Sequence, residues 1–215
     1  MKRLMLAAVL TAFTTVIATP AGAQTTSVSG SALALKQDMR KLWTDHVSWT
    51  RGYVASAIAD QPDAKAAADR LMKNQEDIGK AVATYYGAAA GQQLTTLLKE
   101  HITIAVDVVK AAKAGDKAAQ SQADARWQQN AVQIAEFLSK ANPNWPRATL
   151  VDMMKMHLST TTEEVVARLK KDWAADVRAY DAVYDHILKM ADALSDGIIK
   201  QFPEKFAGGR TVLHD

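Results

Sequence analysis

The chain has 215 residues, with 26 Lys and Arg against 23 Asp and Glu, five His and no Cys. Without cysteine, disulfides, thiolate metal sites, CxxC redox chemistry and covalent c-type haem attachment are excluded. No block of like charge stands out, which argues against nucleic acid as a partner.

Lys2 and Arg3 precede an apolar stretch from Leu4 to Ile17 and the small residues Ala21-Gly22-Ala23, the layout of a cleavable secretory leader. The expectation is a signal peptide over 1–23 and a periplasmic or secreted mature chain. No stable membrane span is expected after cleavage, because no later segment is apolar for long enough. Losing Lys2 and Arg3 takes the basic residues from 26 to 24, against 23 acidic ones, so the overall charge says little about partners. Residues 24–30 read as a Thr/Ser/Gly tether, 31–205 as a single helical domain and 206–215 as a C-terminal tail.

The first predicted helix covers 31–59, with an apolar seam through Leu35, Met39, Leu42, His46, Trp49, Tyr53 and Ser56 alternating three and four apart. The second covers 63–86, with Asp63 as its N-cap after Pro62 and a seam through Leu71, Asn74 and Ile78. The third, 92–114, presents Leu94, Leu98, His101, Ala105 and Val108, and Gly115 is a natural stop. The fourth, 116–141, presents Ala123, Trp127, Asn130, Ile134 and Phe137. Short links between segments of similar length favour antiparallel neighbours.

The cluster Asn142-Pro143-Asn144-Trp145-Pro146 ends the fourth helix. A short fifth helix over 147–158 is predicted, interrupted at Ser159 to Thr162. Thr160 with Glu163, or Thr161 with Glu164, reads as a capping box that opens a long C-terminal helix running to Gln201. The predicted fold is all-α: an up-and-down four-helix bundle with an additional short helix and a long C-terminal helix. The segments share little beyond pattern, so their near-equal spacing does not by itself make a repeat.

His46, Asn74, His101 and Asn130 stand at the middle of the four seams, at nearly equal intervals along the chain. Equal antiparallel arms place them at one height, which predicts a buried His/Asn layer between apolar layers containing Trp49 and Trp127. Helices one and three would be diagonal, so the histidines would face each other. Buried polar groups are costly unless paired, and burial favours neutral imidazole, the metal-binding form.

Three uses of the layer follow. It holds helix register through mutual hydrogen bonds. Or His46 and His101 ligate a transition metal (copper, zinc or iron), with His157 as a third ligand if the fifth helix folds back on the bundle. A non-covalent haem fits less well beside two tryptophans. Or a small polar ligand is held by Asn74, Asn130, Trp49 and Trp127 around the histidines. Met153, Met154 and Met156 next to His157 form a separate thioether and imidazole set suited to Cu(I), although methionines also fill gaps in a core. His186 is expected at a boundary or surface position. Carboxylate-bridged di-iron pairs, His-Glu-x-x-His, phosphate-binding glycine loops and Gly-x-Ser-x-Gly elbows are all absent from the sequence. The expectation is an exported binding protein for a metal ion or small ligand rather than an enzyme. The alternative is a structural or partner-binding module.

Overall fold

The computed structural model describes residues 29–207, and the expected leader, most of the expected tether and His214 lie outside them. Ser29 opens the first helix, its hydroxyl accepting from the Ala32 N–H at 3.2 Å. Six long helices follow: α1 (Gly30–Ile58), α2 (Ala64–Tyr86), α3 (Ala88–Ala114), α4 (Lys117–Ala141), α5 (Arg147–Leu169) and α6 (Trp173–Gln201). A last short turn, α7 (Pro203–Phe206), carries Phe206 back into the core, where it stacks on Tyr85 at 5.8 Å. Phe206 therefore belongs to the domain and not to the tail.

The all-α bundle stands, with a different count of long helices. The fifth helix does not stop at 158, because the Thr run does not cap anything. Thr160, Thr161 and Thr162 donate their hydroxyls to the Met156, His157 and Leu158 carbonyls at 2.8–2.9 Å, so their polar groups are satisfied inside one continuous helix. The break falls at Lys170-Lys171-Asp172 instead, where Lys171 takes the left-handed conformation (φ 59°) and Asp172 caps α6 through the Ala175 N–H.

Three helical hairpins result, and their turns are alike. Asp60, Gly115 and Lys171 have φ of 55°, 70° and 59°. The following N–H groups, of Gln61, Asp116 and Asp172, reach back to the Ser56, Ala111 and Ala167 carbonyls at 2.9, 3.1 and 3.0 Å. This is the Schellman closure that satisfies a helix C-terminus. Asp63, by contrast, makes no side-chain cap. Corresponding residues of the hairpins recur at one interval, give or take a single position, as in Met39, Leu94 and Leu150, or Ala67, Ala123 and Ala179, all buried. The chain is thus an internal threefold repeat with a period twice the interval suggested by the polar residues.

Each helix packs on its neighbours in sequence, and α6 packs on α1, closing a ring. Arg40 with Asp192 (2.7 and 2.6 Å) and Lys36 with Asp196 (2.6 Å) stitch that closure. The first helices of the hairpins, α1, α3 and α5, also touch one another, so they form an inner triangle running in one direction. The first four helices do not close on themselves, because three inner helices need three outer ones to cover them. Between α2 and α3 the backbones approach so closely that a Cβ on Gly91 would meet the Gly79 carbonyl at 2.5 Å.

Candidate functional site

His46, His101 and His157 each precede the left-handed residue of their hairpin by the same number of positions. The repeat therefore brings all three to one level of the inner triangle. The three residues are 2%, 2% and 4% exposed. The His157 ring lies 5.6 Å from that of His46 and 6.1 Å from that of His101, centroid to centroid. His157 completes the cluster that sequence spacing assigned to His46 and His101.

The asparagines do not complete a four-residue layer. Each clamps its own hairpin. Asn74 donates to the Leu42 carbonyl at 3.0 Å and Asn130 to the Leu97 carbonyl at 3.2 Å. Leu42 and Leu97 stand one helical turn before His46 and His101. In the third hairpin His186, half-buried, donates its Nε2 proton to the carbonyl of Met153 at 2.8 Å, and Met153 stands one turn before His157. All three hairpins thus carry the same side-chain clamp.

The ring nitrogens differ between the hairpins. Trp127 Nε1 donates to His101 Nε2 at 3.1 Å. Since indole only donates, the His101 proton sits on Nδ1 and is given to Asn130 Oδ1 at 2.8 Å. His101 is fully satisfied. His46 accepts at Nδ1 from Gln75 Nε2 at 3.2 Å, so its proton sits on Nε2. Gln75 Nε2 also lies within reach of the Leu71 carbonyl at 2.8 Å and Asn74 Oδ1 at 3.2 Å, so its two protons are shared among three acceptors. The two tasks of Asn130 are thus divided between Asn74 and Gln75. In the third hairpin His186 serves only the carbonyl, and His157 Nδ1 is buried with no hydrogen-bond partner among the described residues.

Burial holds the cluster neutral. Desolvation, with the neighbouring His101, pushes His46 down to about 3, and desolvation pushes His101 down to about 4. His157 is held well below its ordinary value by desolvation first and by the other histidines second. A chamber of about 30 Å³ opens on one side of the three rings, with Tyr53, Leu71, Trp127 and Thr161 among its walls. A void of about 20 Å³ lies on the other side, against Trp43, Leu98 and Met154. The first exceeds the ~10–15 Å³ that one ordered water needs.

Trp127 takes the expected place beside the histidines. Trp49 does not: it is 38% exposed, and Arg70 lies over its ring at 5.5 Å. Trp43 takes the inward position, its ring 5.6 Å from His46. Both residues fit a step of three from His46, in opposite directions, and α1 is an inner helix buried on a wide face. Met153, Met154 and Met156 do not gather around His157. Met154 is buried, Met153 half-buried and Met156 53% exposed. Among the described residues no group of three His, Asp or Glu is arranged to hold a metal ion.

Two features escaped the sequence. Gln75 was hidden behind Asn74, though it follows His46 by the same interval at which Asn130 follows His101 and His186 follows His157. The second is a buried ionic cluster where α1, α5 and α6 meet. Arg51 binds Glu164 at 2.7 Å and Asp176 at 2.9 and 3.1 Å, and Arg168 binds Asp176 at 2.9 Å. Glu164 is 1% exposed, and desolvation, opposed by Arg51, pushes its carboxyl up to about 7. No periodicity marks such a cluster in one dimension.

The chain matches no family model, no curated protein and no solved structure. No helix among the described residues is long and apolar enough to cross a membrane.

Proposed function

We propose that this is an exported binding protein that holds a small, uncharged, hydrogen-bonding molecule between His46, His101 and His157. The observation that carries this reading is the unpartnered, buried Nδ1 of His157 beside a chamber shared by all three rings. An unsatisfied buried polar atom costs about 1–3 kcal/mol. In the other two hairpins the corresponding nitrogen has a partner from the second helix. A ligand carrying a hydroxyl, amide or similar group supplies the missing partner, while the apolar walls accept its body. Desolvation disfavours a charged occupant in such surroundings.

A metal ion is the weaker occupant. Both ring nitrogens of His101 are engaged, and His46 presents a protonated Nε2 once Gln75 holds its Nδ1. Copper, zinc or iron would have to break these bonds to gain three imidazole ligands. A porphyrin far exceeds voids of about 30 and 20 Å³.

A second reading is supported by the three carbonyl clamps, which fit a device for hairpin register. Native mass spectrometry and thermal melting of the untagged mature protein separate the two. Ligand binding predicts a retained small molecule, or melting raised by millimolar short alcohols or amides through linkage, and loss of either in His157→Leu. Melting unmoved across such a panel, together with a bare mass, favours the register device. Elemental analysis of the same sample reports any stoichiometric metal.

A further inference from the structure

Shared side chains form a partition between the histidine chamber and a groove at the surface. A surface groove of about 430 Å³ runs between α1, α2 and α3, with Ala57, Ala64, Ala68 and Lys110 among its walls. Tyr53, Val106 and Val109 line both this groove and the chamber. Tyr53 is only 7% exposed, so its ring occupies the partition itself.

The packing of the partition is distinct from the rest of the core. Tyr53, Val54, Ala67, Val109 and Val165 form a small buried cluster of their own. The large cluster reaches the chamber through Val108 and Trp127, while its Trp43, Leu98, Ile134 and Met154 line the void on the other side of the histidines. A plug with few buried apolar contacts opens at lower free energy than a main core. The repeat sets Tyr53 apart from the other walls at its level. At the level of Tyr53 the other inner helices carry Val108 and Glu164, one and two repeats further along the chain. Val108 is short, and Glu164 is pinned by Arg51 at 2.7 Å. A tyrosine ring swings by rotation about its side-chain bonds.

We propose that the groove is the entrance to the chamber and that Tyr53 is its gate, admitting slim uncharged molecules. This rests on the chamber being a ligand site. The alanines of the groove leave room for a narrow molecule to reach the ring. The apolar partition opposes any ion, which would have to shed its water to pass.

The test uses 2-fluoroethanol, a small neutral alcohol, followed by ¹⁹F saturation-transfer NMR on the mature protein. A bound resonance is expected in the wild type and is lost in His157→Leu. Tyr53→Ala should raise the entry rate as well as the exit rate at least about tenfold, and because Tyr53 also lines the chamber no constancy of affinity is required of this variant. Ala68→Trp, which fills the groove without lining the chamber, should slow exchange by a similar factor at unchanged affinity. If Tyr53→Ala does not fold, Ala68→Trp decides alone. A bound resonance whose exchange rate is the same in the wild type and these variants overturns the gate and leaves the chamber standing. No bound resonance in the wild type overturns the chamber as an alcohol site, and the gate with it.

Discussion

His186 donates to the carbonyl of Met153 at 2.8 Å, one helical turn before His157. Asn74 and Asn130 do the same for Leu42 and Leu97, before His46 and His101. In each hairpin the second helix thus grips the first at the turn that presents a histidine to the axis. Asn carries this grip twice, so His186→Asn should keep the fold and melt close to the wild type. His186→Ala should cost about 0.5–1.5 kcal/mol, the usual net worth of one such bond. Urea denaturation of the two variants checks the difference.

Removing the acceptor of a satisfied histidine is expected to cost more than removing the unsatisfied histidine. Asn130→Ala strands the Nδ1 proton of His101, and a loss of about 1–3 kcal/mol is expected. His157→Met removes an unpartnered buried nitrogen, so the ligand-free protein should be unchanged or more stable by up to about 1 kcal/mol. A destabilisation of His157→Met as large as that of Asn130→Ala, with no ligand present, would count against the histidine being kept for binding.

Stability should rise with pH between about 4 and 6.5. His46 and His101 are pushed down to about 3 and about 4, and His157 lies well below 6.5. The unfolded chain takes up these protons near 6.5. In that window it binds more protons than the folded state, so stability is lost as pH falls. Glu164 has the opposite sign. Pushed up to about 7 from 4.5, it keeps a proton that the unfolded chain releases, and its contribution fades as pH rises through about 7. Three groups outweigh one below 6.5, so the melting temperature climbs and then flattens near neutrality. His157→Met should reduce the slope by about one proton. Calorimetric melts at half-unit steps test this, and a flat profile from about 4.5 to 6.5 would contradict neutral, dry histidines.

The ionic cluster should tolerate loss of charge on Glu164 and not loss of Arg51. Glu164→Gln keeps an acceptor for Arg51 in place of a carboxyl already part-protonated at neutral pH, so a change below about 1 kcal/mol is expected. Arg51→Leu leaves Glu164 without its partner and Asp176 with Arg168 alone. A loss of about 3 kcal/mol is expected, as when one member of a buried pair is removed. Denaturation midpoints at pH 7 compare the two.

Helicity, the stop at Gly115 and the inward turn of His46, His101, Asn130 and Trp127 are legible in the chain alone. Those features are local, because an apolar stripe of period 3.6 and a glycine after its end follow from one helix without its neighbours. The choice between Trp43 and Trp49 on α1 is made by packing, since an inner helix buried on a wide face accommodates steps of three and four alike. Packing also keeps Thr160 to Thr162 inside α5, where their hydroxyls bond to the helix itself, and lets Lys171 make the third turn without glycine. The meeting of His157 with His46 and His101 is likewise tertiary. It depends on three hairpins closing a ring through α6 and α1, a contact between the first and last long helices that no short window of sequence contains.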